Sequence, residues 1–122
     1  MSDATDLRDR LRGALKGVLA RRDRTAVAAL RSAIAALDNA EAVPVARERA
    51  RVTDGPIAGA AAGIGATEAP RRRLSARDER SIVEGQVRER QIVADEYERL
   101  GRSDAAERLR READVLAVHL DG

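Results

Sequence analysis

Apolar residues recur every three to four positions in four separate segments of the chain. The four stripes are Leu7, Leu11, Ala14, Leu15 and Val18; Val27, Leu30, Ile34 and Leu37; Val83, Val87, Ala94, Tyr97 and Leu100; and Ala106, Leu109, Ala113, Leu116 and Leu120. This spacing places side chains on one face of a helix. It therefore predicts four helices, over about residues 4–21, 24–41, 76–100 and 104–119.

Residues that favour helix boundaries flank these segments. Asp23 is a candidate N-cap for the second helix, and Ser75 followed by Asp78 resembles a capping box before the third. Gly101 is predicted to end the third helix and Asp104 to cap the fourth. The second segment is rich in alanine, which lets a neighbouring helix approach closely, so we expect this helix to be the central one.

A long connection separates the second segment from the third. It holds all three prolines and the stretch GPIAGAAAGIGATEAP, and it begins with VARERARV, which could add a short helical piece. Its glycines lack the Gly-Lys-Ser/Thr ending of a phosphate-binding loop, so we interpret about residues 54–73 as a flexible linker. Short links elsewhere predict two antiparallel hairpins. The predicted fold is all-α: a four-helix arrangement of two hairpins with a long Gly/Ala/Pro-rich connector, in a single domain over residues 1–122.

Composition excludes several classes of protein. The chain has no cysteine, which rules out disulfides, zinc–thiolate sites and thiol nucleophiles and favours a reducing compartment. No apolar run approaches the roughly 18 residues of a membrane span. The polar, acidic beginning does not resemble a secretory signal. We therefore expect a cytoplasmic protein with no membrane partner.

Charge is abundant but balanced. The 23 basic and 21 acidic residues give a formal net charge of +2, which by itself does not indicate nucleic-acid binding. Tyr97 is the only aromatic residue, so a base-stacking platform is excluded. Nearly all the positive charge is arginine, whose fixed fork suits carboxylates and phosphates. Basic clusters occur at Arg21, Arg22 and Arg24, at Arg71, Arg72 and Arg73, and at Arg108, Arg110 and Arg111.

Two stretches resemble the GatB/YqeY family. LKGVLARRDRTAVAALRSAIAALDNAE, residues 15–41, is similar to the opening hairpin of that family, and QVRERQIVADEYERLGRSDAAERLRREADVLAVHL, residues 86–120, is similar to its second hairpin. The most specific part is the Tyr-x-x-x-Gly-Arg-x-Asp spacing. The matching residues include Asn39, Glu41, Arg90, Tyr97, Gly101, Arg102, Asp104, Ala106, Glu112, Leu116 and Leu120. The chain departs from the family pattern at His119 and Asp121, and we expect it to lack the small C-terminal helical subdomain of the family.

This resemblance implies a function. The family includes free-standing proteins and the C-terminal region of the B subunit of the glutamine-dependent aspartyl/glutamyl-tRNA amidotransferase, where the region helps to hold tRNA. It thus implies a link to carbon–nitrogen ligation with glutamine as amide donor, without implying that this chain performs the reaction. The candidate phosphate or tRNA contacts are Arg21, Arg22, Arg24 and Arg102. The family-motif residues expected to be structural are Asn39, Glu41, Arg90, Tyr97, Gly101, Arg102 and Asp104.

A second hypothesis remains open from the sequence. The chain could be a helical protein–protein interaction module, or a self-associating one, with no role in RNA binding. A pull-down or a mass measurement would identify such a partner, whereas a tRNA titration would identify the first function.

Nothing in the sequence predicts a catalytic residue, a metal site or a cofactor. His119 is the only histidine, and no nucleophile or second ligand lies at a suitable spacing from it. The carboxylates of the last two segments alternate with arginines as on a solvated helix face. Arg90 interrupts the third apolar stripe, and a buried guanidinium needs a partner. Asp38 and Glu41 are the candidates, and the alternative is that the stem of Arg90 only covers apolar surface.

Overall fold

The computed structural model describes the backbone of residues 6–52 and 73–121, and the side chains of residues 6–42 and 73–121. Within these ranges the chain is almost entirely helical and contains no strand. The described residues form four α-helices, which confirms the predicted all-α class. Most of the predicted connector, residues 53–72, lies outside the described residues.

The first helix, α1 (Leu7–Ala20), begins where the Asp6 carboxylate accepts a hydrogen bond from the Asp9 backbone N–H at 2.8 Å. Leu7, Leu11 and Val18 are buried along one face, as the periodicity predicts. Residues 4 and 5, where the sequence places the start of this helix, lie outside the described residues.

The second helix, α2 (Arg24–Val52), is longer than predicted. It continues past residue 41 through Pro44, although proline supplies no N–H for the helix ladder. Most of the residues that follow, such as those of the predicted helical piece VARERARV, have good helix propensity. The fully buried residues near its start are largely alanines: Ala26, Ala29, Leu30, Ala33 and Leu37.

The third helix, α3 (Ala76–Arg99), starts at Ser75, whose hydroxyl accepts the Asp78 N–H at 3.0 Å, as predicted. The fourth, α4 (Ser103–Ala117), packs along α3 and ends in a 3₁₀ turn, Val118–Leu120. That turn also contacts α1. The start of α1 therefore lies near Val118–Leu120.

The core consists of small and aliphatic side chains: Leu7, Leu11, Val18, Ala26, Ala29, Leu30, Ala33, Leu37, Val83, Ala94, Ala106, Ala113, Leu116 and Leu120. Eight predicted stripe members are not among them: Ala14, Leu15, Val27, Ile34, Val87, Tyr97 and Leu109 are half-buried, and Leu100 is exposed. Leu100 is 74% exposed because it lies at the C-cap of α3, beyond the last full turn that packs.

The contacts divide the chain into two compact units. One comprises Met1–Leu37 and Ser75–Gly122, and the other comprises Asp38–Leu74. All the features described below, except Asp38, Asn39 and Glu41, belong to the first unit. None of the described helices is long and apolar enough to cross a membrane.

Candidate functional site

The turn between α1 and α2 presents a cluster of arginines in a defined backbone geometry. Arg22 has a φ of +59°, in the left-handed region that favours glycine. Its N–H donates to the Leu19 carbonyl at 3.1 Å, and the Asp23 N–H donates to the Val18 carbonyl at 3.0 Å. These two bonds form the Schellman motif that satisfies the last carbonyls of a helix. The turn is therefore an ordered structure with arginine at its left-handed position.

Asp23 is the only acid in this turn, and its carboxylate is already used. It accepts the Ala26 N–H at 3.1 Å and so caps α2, as the sequence predicts. Arg21, Arg22 and Arg24 are all exposed. No described carboxylate forms an ion pair with any of the three, whereas several arginines of α3 and α4 are paired. The turn thus offers three guanidinium groups to solvent or to a ligand.

A shallow groove adjoins these arginines. Its floor is formed by Leu19, Val27 and Ala28, and its rim by Arg22, Arg24 and Arg31. Leu19 is 44% exposed, although a leucine of that size is usually buried. The sequence placed Val27 on the buried stripe of α2, but in the structure it is only half-buried. The groove lay beyond sequence reasoning because it depends on how α1 and α2 meet at the turn.

The turn between α3 and α4 repeats the same backbone motif with glycine. Gly101 has a φ of +77°, its N–H donates to the Glu98 carbonyl at 3.0 Å, and the Arg102 N–H donates to the Tyr97 carbonyl at 2.8 Å. The Arg102 guanidinium lies 5.9 Å from the centre of the Tyr97 ring, within cation–π distance. This geometry explains the Tyr-x-x-x-Gly-Arg spacing, because the three residues are the partners of one helix-ending motif.

Asp104 does not cap α4, contrary to the prediction. The helix begins one residue earlier, at Ser103, and its N-cap residue is Arg102, which makes no side-chain capping bond. Asp104 is therefore in the first helical turn, where its negative charge still interacts favourably with the helix dipole.

Arg90 lies at the centre of a polar network between helices. Its Nε donates to the Glu112 carboxylate at 2.8 Å, and its Nη1 donates to the Gln86 side-chain oxygen at 2.9 Å. The Ser32 hydroxyl of α2 donates to the same Gln86 oxygen at 3.1 Å. The Arg90 and Glu112 side chains are only 11% and 13% exposed. The network therefore joins α2, α3 and α4 through satisfied polar groups.

The expected partners of Arg90 were wrong. The carboxylate that pairs with it is Glu112, not Asp38 or Glu41. The sequence could not distinguish these acids, because helical periodicity identifies a face but not the neighbouring helix that covers it. Glu41 is itself 9% exposed in the second unit, and Asn39 beside it is exposed. Ser32 and Gln86 gave no signal in the sequence, because a single serine or glutamine is ordinary on a helix.

A second largely buried ion pair joins the starts of α1 and α3. An Arg8 guanidinium nitrogen is 3.8 Å from the Glu79 carboxylate, and Glu79 is only 3% exposed. The sequence pattern singled out neither residue, because a charged residue is ordinary near the start of a helix. Because Glu79 lies in the first turn of α3, this pair connects that turn to α1.

His119 is a half-buried residue of the final 3₁₀ turn rather than part of a reactive cluster. Its backbone carbonyl accepts a hydrogen bond from the Arg10 guanidinium at 3.3 Å. Burial lowers the pKa of His119, and the positive charge of Arg10 lowers it further. Among the described residues, no three histidines, aspartates or glutamates are grouped as a metal ion would require.

The predicted phosphate-binding arginines thus occupy two separate turns. Arg21, Arg22 and Arg24 are neighbours at the α1–α2 turn, and Arg102 is at the α3–α4 turn. Comparison of the chain with protein-family models, with curated proteins and with solved structures found no match.

Proposed function

We propose that this protein is a GatB/YqeY-like accessory module, related to glutamine-dependent tRNA amidotransferases, that contacts tRNA phosphates through Arg21, Arg22, Arg24 and Arg102. In this role it supplies a helical binding surface in the cytoplasm, and the carbon–nitrogen ligation is performed by another protein. The family relationship rests on the sequence resemblance alone.

One observation carries the RNA-binding part of the proposal. The α1–α2 turn exposes three arginines that no described carboxylate neutralises, and the one acid of the turn is engaged as a helix cap. Arginine forms paired hydrogen bonds with phosphate oxygens, and each such contact releases counterions from the nucleic acid. A fixed backbone turn reduces the entropy that is lost when these groups bind.

The proposed scaffold is a pair of antiparallel hairpins joined by the Gly/Ala/Pro-rich connector. The ion pairs between α3 and α4 support this arrangement, because they connect Asp95 to Arg110 and the earlier Arg90 to the later Glu112. Such a scaffold would hold each arginine turn at the end of a helix pair, where a tRNA backbone could reach it.

A titration with unfractionated tRNA at about 50 and 200 mM salt tests the proposal. Four arginine–phosphate contacts predict a slope of log affinity against log salt of roughly −3 to −4. We expect Arg21→Ala and Arg102→Ala each to weaken binding and to reduce that slope by about one. The matched control is Arg88→Ala, an exposed arginine of α3 outside both turns.

Two results would reject the RNA function. One is no binding of tRNA at the lower salt concentration, and the other is an equal loss of affinity in Arg88→Ala and in the turn variants.

The groove of Leu19, Val27 and Ala28 favours a second candidate, a protein-binding module without an RNA role, because an aliphatic floor has no use in phosphate recognition. Self-association is tested by measuring the mass of the protein in solution.

A further inference from the structure

We propose that the groove of Leu19, Val27 and Ala28 binds an acidic, aliphatic segment of a protein partner, with the rim arginines pairing with its carboxylates. The inference deepens the proposed accessory function by naming the chemistry of a protein partner. It does not require tRNA binding, because the apolar floor and Arg31 belong to the groove alone, whereas Arg22 and Arg24 are shared with the proposed phosphate contacts.

The floor of the groove is apolar and accessible. Val27 and Ala28 lie on the first turns of α2, and Leu19 comes from the last turn of α1. Leu19 and Ala28 are exposed and Val27 is half-buried. Covering such aliphatic surface with another aliphatic side chain is favourable because it removes both from water.

The rim carries positive charge without compensation from the described part of the chain. Arg24, Val27, Ala28 and Arg31 follow one another at helical spacing, so the cations alternate with the apolar floor along one face. Arg22, from the left-handed turn position, also lines the groove. Carboxylates that flank an aliphatic anchor would meet these guanidinium groups at the rim.

Other occupants fit this surface less well. RNA would use the arginines, but its bases need aromatic platforms, and the only aromatic residue, Tyr97, is at the other turn. In a symmetric dimer the same patch faces itself, so the rim arginines would repel one another. An acidic, aliphatic segment complements both surfaces, because its aliphatic side chains cover the floor and its carboxylates pair with the rim arginines.

The test is a titration of the ¹⁵N-labelled full chain with a synthetic amphipathic helical peptide that has leucines on one face and glutamates around them. We expect shifts of the Leu19, Val27, Ala28 and Arg31 amide signals. Two matched peptides, one with alanine for leucine and one with lysine for glutamate, should each bind at least about tenfold more weakly.

Variants of exposed residues locate the site. Ala28→Asp should weaken binding of the acidic peptide about tenfold, and Arg31→Glu about fivefold or more. The controls are Ala35→Asp, an exposed alanine two helical turns further along α2, and Arg88→Glu on α3, and both should stay within about twofold of the original affinity. Circular dichroism of each variant confirms that the helices are retained.

The proposal is overturned if the acidic peptide gives no shifts at about 1 mM, if the lysine or alanine peptide binds equally well, or if the shifts map outside the groove. The same variants separate the two proposals. Arg21→Ala and Arg102→Ala change residues that do not line the groove. Loss of tRNA binding in these variants, with peptide binding retained, would support both. Peptide binding without any tRNA binding would reject only the RNA function.

Discussion

At the scale of single residues, two left-handed backbone positions show how similar turns are built from different side chains. Gly101 and Arg22 both end a helix with a Schellman motif, at φ values of +77° and +59°. Glycine adopts this conformation without steric cost, whereas a residue with a Cβ is disfavoured there. The arginine at position 22 is therefore kept at a cost in stability, which is consistent with a role in binding.

Replacement of these two residues should change stability in opposite directions. We expect Gly101→Ala to lower the free energy of unfolding by about 1 kcal/mol, and Arg22→Gly to raise it by about 0.5–1 kcal/mol. Gly13→Ala is the control, because Gly13 is in the middle of α1 and an added Cβ would meet no atom within 4 Å. It should be stabilising by up to about 1 kcal/mol. Urea unfolding followed by circular dichroism measures the stability of all three variants. A stabilising Gly101→Ala would contradict the left-handed backbone conformation of Gly101.

Arg90 and Glu112 form the ion pair whose loss should cost most among those between α3 and α4. Arg90→Met leaves the Glu112 carboxylate, only 13% exposed, without its partner, so we expect a loss of about 2–4 kcal/mol in the free energy of unfolding. The double variant Arg90→Met/Glu112→Leu should recover most of that loss, since it removes both charges.

The matched comparison is Arg110→Met. Arg110 pairs with Asp95 and Glu98 at the surface, where water screens the interaction, so this variant should change stability little. Equal effects of Arg90→Met and Arg110→Met in thermal unfolding would show that the Arg90 network contributes no more than a surface pair.

At the scale of helices, small side chains and polar links determine how the elements meet. The buried face of α2 contains Ala26, Ala29 and Ala33, so a neighbouring helix can approach its backbone closely. The Ser32–Gln86 hydrogen bond then defines one register between α2 and α3. Near the start of α1, the Arg10 guanidinium donates a hydrogen bond to the His119 carbonyl and so connects α1 to the final 3₁₀ turn.

Burial of His119 in the 3₁₀ turn, with Arg10 nearby, should make stability depend on pH. Folding lowers the pKa of His119 below its usual value near 6.5, so the unfolded chain binds the proton more readily. The contribution of His119 is fully present above about pH 6.5 and is lost as the pH falls from there towards the lowered pKa.

We therefore expect His119→Gln to flatten the dependence of unfolding free energy on pH between about pH 5 and 7. Urea titrations of the original chain and the variant at several pH values measure the difference, which removes the contribution of carboxylates common to both. Parallel pH profiles would show that the histidine titrates alike in the folded and unfolded chains.

At the scale of the whole molecule, the distribution of charge matters more than its total. The formal net charge is only +2, yet acids and arginines pair along α3 and α4 while the α1–α2 turn keeps its arginines unpaired among the described residues. Exposed charges further apart than about 8–10 Å are largely screened at physiological salt. Binding of a polyanion should therefore follow the local excess at the turn.

Two charge reversals separate local from total charge. Arg21→Glu lowers the net charge by two at the turn, and Asp114→Lys raises it by two near the end of α4. The end of α4 is far from this turn. Arg10 donates a hydrogen bond to His119, just after α4, and Arg10 lies about 16 Å along α1 from Arg21, which is more than the screening length. We expect Arg21→Glu to weaken tRNA binding strongly and Asp114→Lys to change it little. Equal and opposite effects in the titration would mean that total charge governs binding.

Local features of the fold were predictable because they depend on neighbours in the chain. Helix periodicity identified the four helices and much of the core, and the caps at Asp23 and Ser75 follow from side-chain oxygens three residues from a free N–H. The arginines of the candidate site were equally visible, since exposure is the default for that residue type. The end of α2 was not predictable in this way, because the nearby prolines indicated that the helix would end earlier.

The sequence by itself determined the helical class, two of the helix starts and the positions of the turn arginines, because each depends on interactions within a few residues. Only the tertiary structure decided that Arg90 pairs with Glu112, that Glu79 is buried beside Arg8, and that an aliphatic groove adjoins Arg22 and Arg31. These features depend on which helix faces meet and in what register, and that choice is made by the packing of the whole core.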